Sequence, residues 1–111
     1  MRQFHTSVVE RREPFVGRLE THPYEAGWAS EAIFFVKFEE LEVPPEGFEI
    51  HVQIAADGID WVPEGTTIGP VHEKGTYHAR VRHFGGWLRV VADLGDPAAR
   101  CVATVHLVLK E

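Results

Sequence analysis

The chain has 111 residues and a mass of 12.5 kDa, with 44% hydrophobic and 25% charged residues, the make-up of a soluble folded domain whose core needs neither metal nor disulfide. Eleven basic against 17 acidic residues leave a formal charge of −6, which disfavours a nonspecific nucleic-acid or anionic-membrane binder. No apolar run approaches the roughly 20 residues of a bilayer span.

The opening segment, Met1 to Glu10, lacks the continuous apolar core of a secretory signal, so cytoplasmic residence is the expectation. Turn signals recur at short intervals, from Glu13-Pro14 through Pro44-Pro45-Glu46-Gly47, Asp57-Gly58 and Gly85-Gly86 to Gly95-Asp96-Pro97. Segments rich in Val, Ile, Phe, Thr and Tyr lie between them, the layout of a sandwich or barrel. Strands are predicted at about 4 to 10, 15 to 21, 31 to 40, 48 to 55, 76 to 83, 86 to 93 and 101 to 109. Any helix is confined to a short turn near Pro97-Ala-Ala-Arg100. The whole chain, 1–111, is expected to form one domain, with 1–27 as a possible N-terminal arm and first strands.

The strand at 31 to 40 is unusual because both faces are apolar: Ala32, Phe34, Val36 and Phe38 on one side, Ile33 and Phe35 on the other. An antiparallel sandwich strand normally leaves one face to water. Ile33 and Phe35 therefore need a cover. Either the N-terminal arm folds over them through Phe15 or Leu19, or they meet another subunit. Leu107 and Leu109, opposite Val108 on the last strand, pose the same question.

From Phe48 to Ile54 the apolar residues alternate with Glu49, His51 and Gln53, the period-two signature of a half-buried strand. Asp57-Gly58 suits a tight reversal, and Trp61 is expected to restart the chain as a plug between two sheets. The predicted core is Phe34, Val36, Phe38, Phe48, Ile50, Val52, Ile54, Trp61, Val81, Leu88, Val90, Val105 and Leu107.

Four constellations bear on chemistry. His51, His78 and His106 fall mid-strand, and three converging imidazoles would make a zinc, iron or copper site. Their wide, nearly even spacing along the chain forms no ligand motif, so no metal or other cofactor is assigned. The segment from Val62 to His72, followed by His78, has a faint cupin flavour, but Gln53 stands where a second histidine of a His-x-His pair would fall. Trp28, Trp61 and Trp87, with Tyr24 and Tyr77, offer a stacking platform for a sugar, with core packing as the simpler use. Arg80, Arg82 and Arg89 alternate on two strands flanking the short His83-Phe84-Gly85-Gly86 turn, so they are expected to share a face, hold an anion, or pair with carboxylates such as Glu49 and Asp93. Asp57 and Asp60 are read as turn formers. The lone cysteine, Cys101, sits in an apolar strand and reads as structural. A phosphate loop, a Gly-x-Ser-x-Gly elbow, a cysteine pair and His-Glu-x-x-His are all absent from the sequence.

Taken in order, Ala32-Ile-Phe-Phe-Val-Lys-Phe, the Pro-Pro turn, Phe48-Glu-Ile-His-Val-Gln-Ile, Ala56-Asp-Gly-Ile-Asp-Trp61, Gly85-Gly-Trp-Leu-Arg-Val-Val91 and Val105-His-Leu-Val-Leu-Lys110 form a pattern. It resembles small β-sandwich domains of phage-type and bacterial structural proteins, over about residues 28 to 110. The chain departs from that pattern in carrying Ala55 or Ala56 where serine is usual. The resemblance implies a non-enzymatic module that presents surfaces and assembles, with no catalytic residues to carry over. The expectation is thus an all-β, two-sheet antiparallel sandwich of about seven or eight strands, jelly-roll or immunoglobulin-like. Its function would be structural, as a homo-oligomer or part of a larger assembly, cytoplasmic or virion-associated, with Ile33 and Phe35 at the interface. A cupin-like metal enzyme using His51, His78 and His106 is the alternative. A carbohydrate-binding module using Trp28 and Trp87, with Arg80 and Arg82 as further ligand-binding candidates, is the third.

Overall fold

The computed structural model of the chain describes residues 4–82 and 84–111. Its regular elements are strands: β1 (Phe4–Val16), β2 (Arg18–Glu20), β3 (Tyr24–Glu25), β4 (Glu31–Glu42), β5 (Phe48–Ala55), β6 (Val62–Val71), β7 (Gly75–Arg82), β8 (Trp87–Asp93) and β9 (Arg100–Lys110). Sheet A runs β1-β9-β4-β7. Sheet B runs β2-β8-β5-β6, with β3 also beside β8. All ladders are antiparallel. The chain is a two-sheet β-sandwich, as the alternation predicts.

Period-two patterning decides which side chains meet between the sheets. In β9 it turns Cys101, Ala103, Val105, Leu107 and Leu109 inward, all buried, and leaves Val102, Thr104, His106 and Val108 facing out. In β4 it turns Ala32, Phe34, Val36 and Phe38 inward. Sheet B answers with Leu19, Phe48, Ile50, Val52, Leu88 and Val90. Phe38 meets Phe48 edge-on across the gap, with ring centroids 5.7 Å apart. Burying each large side chain contributes about 1.5 to 3 kcal/mol relative to leaving it in water.

The two sheets are joined at a corner. Gly17, at φ 75°, carries the chain from β1 in sheet A to β2 in sheet B. Its N–H donates to Ala99 O at 2.7 Å and its carbonyl accepts from Leu94 N–H at 3.0 Å. A side chain there would meet the Pro97 carbonyl oxygen at 3.2 Å, so the bend requires glycine.

Five expectations are corrected. The segment at 62–71 is a strand, β6, where the prolines and glycines read as turns. It lies at the edge of sheet B with register shifts against β5, where proline is tolerated because no outer partner needs its missing N–H. Trp61 is not a plug: it is half-buried outside the core, while Ile54 packs against the core from a half-buried position. Phe15 and Leu19 do not cover Ile33 and Phe35. Phe15 lies opposite Cys101 and packs against the core, and Leu19 is fully buried. Leu107 and Leu109 are likewise buried, so Val108 is the residue that faces out. Finally, β7 and β8 are not a hairpin. The connection crosses from sheet A to sheet B, and His83, read as the strand end and turn start, lies outside the described residues. The Pro97–Arg100 segment is a turn closed by Ala99 N–H donating to Asp96 O at 3.0 Å.

Candidate functional site

The outward face of sheet A is built by register. Val8, His106, Phe35 and His78 lie side by side across β1, β9, β4 and β7. The next row is Thr6, Val108, Ile33 and Arg80. Ile33, Phe35 and Val108 are half-buried by their sheet neighbours, and Val8 is 38% exposed. The His78 ring tilts against Phe35 with centroids 6.1 Å apart. The result is an apolar patch of Ile33, Phe35 and Val108 in the middle of a sheet face, with His106 between Phe35 and Val8, and with His78 and Arg80 at the border. At one end, Arg80 and Lys110 border a depression of about 130 Å³ whose carboxylate, Glu31, already pairs with Arg82 at 3.5 Å.

A polar lock sits further along the same sheet. Arg12 alone among the described non-glycine residues has positive φ, 47°, and β1 is irregular around it. Its N–H donates to Thr104 Oγ1 at 3.0 Å, and Thr104 Oγ1 donates to Glu39 Oε1 at 2.7 Å. The Arg12 guanidinium closes the ring on Glu39 at 3.2 Å. Such a backbone conformation costs of order 1 kcal/mol or more and persists where surrounding bonds determine it. Nothing in the sequence pattern flags this triad, because its members come from three strands far apart in the chain. Glu10 was missed for a different reason: it follows Val8 and Val9 as an ordinary charged strand residue, and only the chain's return after β2 brings His22 onto it. It is buried, and its Oε2 accepts from the His22 backbone N–H at 2.8 Å and ring Nδ1–H at 2.7 Å.

Sheet B presents a different surface. An open trough of about 570 Å³ is lined by Arg18, Glu49, His51, Gln53, Val91 and Asp93 among others. Beside it Arg89 stacks over the Trp61 ring at 4.3 Å, donates from Nε to Gln53 Oε1 at 2.8 Å, and pairs with Glu20 at 3.4 Å. This explains why Trp61 left the core: Arg89, on the outward face, holds the indole outside. The β5–β6 loop is kept rigid by Asp57, whose Oδ1 accepts N–H bonds from Asp60 and Ile59, both at 2.9 Å. Those bonds, the Asp60 one foremost, hold its carboxyl below the usual aspartate value.

The predicted constellations do not gather. His78 and His106 flank Phe35 on sheet A, whereas His51 faces out from sheet B. No cluster of three potential metal ligands occurs among the described residues. Arg80 and Arg82 belong to sheet A and Arg89 to sheet B; Arg82 pairs with Glu31 and Arg89 with Glu20, in place of Glu49 and Asp93. Trp87 faces out from sheet B on the side away from Arg80 and Arg82, and the loop lies over it: a Cβ at Gly58 would stand 3.2 Å from its indole. Trp28 is 40% exposed in the β3–β4 loop. Cys101 is buried, which pushes its thiol up from 9.0 to about 11.

No protein-family model and no curated protein matches the chain. Solved structures do. The SPBc2 prophage-derived protein YomS superposes with a TM-score of 0.61 at 9% identity, over 100% of this chain and 96% of that one. The PBSX exported protein XepA gives 0.58 at 7% identity, covering 98% of this chain and 36% of XepA, so this chain spans about a third of it. A family 29 carbohydrate-binding module gives 0.50 at 12% identity, over 97% and 89% of the two chains. At such identities the likeness is one of fold.

Proposed function

We propose that the chain is a non-enzymatic structural module of prophage type that self-associates through the outward face of sheet A. The observation that carries this reading is the group of Val8, Ile33, Phe35 and Val108 across three neighbouring strands. Apolar side chains gathered on an outward sheet face, here interrupted only by His106 on the way to Val8, are what protein contacts use. The fold match to two phage-derived proteins supports the same reading. So does the strand order, β1-β9-β4-β7 over β2-β8-β5-β6, which resembles that of a jelly roll, an architecture common in shell-forming proteins. Residence in the cytoplasm or on a particle follows from that role.

Size-exclusion chromatography with light scattering tests it. The wild type should exceed its monomer mass of 12.5 kDa as concentration rises, and Phe35→Asp should return it to monomer with its fold intact. A wild type that stays monomeric at high concentration overturns the proposal.

Glycan binding is a second reading, favoured by the trough on sheet B beside Trp61 and by the fold match to a carbohydrate-binding module. It would use Trp61, Gln53 and His51 in place of Trp28 and Trp87. Tryptophan fluorescence titrated with a glycan panel decides: no response, or a response unchanged in Trp61→Ala, removes it.

A further inference from the structure

We infer that the self-association is head-to-tail, the outward face of sheet A on one copy seating on the outward face of sheet B on the next. This inference rests on the assembly reading above and adds the geometry of the contact. Its basis is how unpaired charge is divided between the two faces. On sheet A, Lys37 and Arg80 make no ion pair among the described residues and Lys110 lies over the Phe4 ring at 5.9 Å, while Glu31, Glu39 and Glu42 are held by Arg82, Arg12 and Arg100 and Glu40, opposite Val102, makes no ion pair among the described residues, so the cations are in excess. On sheet B, Glu49 and Asp93 beside the trough, with Asp57 and Asp60 in the β5–β6 loop, make no ion pair among the described residues, while Arg18 and Arg89 are both held by Glu20. One face thus offers spare cations around an apolar patch. The other offers spare carboxylates around a trough.

Two copies of the sheet A face pressed together would set Lys37, Arg80 and Lys110 against the cations of the other copy. Like charges juxtaposed across an interface cost several kcal/mol in general, and complementary faces steer association. The molecule measures 44 × 26 × 19 Å, and its broad sides exceed the roughly 800 Å² per partner of a standard interface. Because the two faces point in opposite directions, the contact is heterologous. It propagates into a stack or closes into a ring, and it does not stop at a two-fold dimer.

The test uses the full chain and two surface variants, K37E/R80E on sheet A and E49K/D60K on sheet B, each checked by thermal melting for an unchanged fold. Sedimentation velocity of the wild type should show species beyond dimer, weakening about tenfold or more from low to high salt because the attraction is screened. Each variant alone should be monomeric. Mixed one to one, the two should assemble again, since the reversed faces complement each other. If E49K/D60K associates like the wild type, or if salt strengthens association, the contact is face-to-face and the inference falls while the assembly reading stands. If the wild type itself remains monomeric, both fall.

Discussion

At the scale of single residues, the triad of Arg12, Thr104 and Glu39 explains how sheet A tolerates a left-handed residue inside an edge strand. Thr104 accepts the Arg12 N–H and donates to Glu39, so Thr104→Val leaves both partners short of a bond. The expected loss is about 1 to 3 kcal/mol, read as a lowered urea midpoint with an unchanged slope. Arg12→Val should cost as much or more, because a β-branched side chain is poorly accommodated at φ 47°. Arg12→Gly should be the mildest change at the site. Cys101 gives a second residue-scale prediction. The unfolded thiol ionises from about pH 9 while the folded one waits until about 11. The folded state therefore holds the extra proton within that window. The thiol's contribution is complete below pH 9 and falls by roughly 2 to 3 kcal/mol as pH rises through the window. Urea titrations at both ends, wild type against Cys101→Ala, isolate this slope, and a slope shared by both proteins contradicts the assignment. The same burial predicts that the native thiol resists alkylation until the chain unfolds.

At the scale of elements, β4 shows what alternation determines. Phe34 and Phe35 are neighbours in sequence with opposite surroundings: Phe34 lies in the core and Phe35 between two histidines on the outside. Phe34→Ala should destabilise the fold by about 3 to 5 kcal/mol, whereas Phe35→Ala should change stability little and association much. Denaturant melts and sedimentation on the same two variants separate the effects. The strands around 48–55 and 101–109 and nearly all of the core were legible because one apolar residue in two is a strong signal of a half-buried strand. β6 was not, since Pro63, Gly65, Gly69 and Pro70 signal turns wherever a strand has two partners, and only its place at an edge makes them acceptable. Trp61 misled for a related reason. Its size suggests a core anchor, and the stacked Arg89 that draws it outside comes from β8, two strands further along the chain than β6.

At the scale of the molecule, sequence order and spatial order diverge. Apart from the β5–β6 hairpin, each chain connection between sequential strands leaves the two as non-neighbours in the ladder order. That is why His51, His78 and His106, evenly spaced in the chain, end on two faces, and why Arg80 and Arg89 part company across the β7–β8 connection. The same crossing pattern sets the apolar patch with Lys37 and Arg80 on one side and Glu49 and Asp93 on the other. No local motif encodes that division, since it arises when four distant strands come into register. What the sequence did expose was the anomaly of Ile33 and Phe35 on a second apolar face, and the fold leaves them where a neighbour can reach them.

Amide NMR spectra recorded from millimolar to micromolar concentration test this directly, since a chain of this size gives a resolved backbone signal for most non-proline residues. The account predicts dilution-dependent shifts at Val8, Ile33, Phe35, His106 and Val108, vanishing in Phe35→Asp. Spectra that superimpose across the whole range, or shifts that leave the outward face of sheet A untouched, would contradict it.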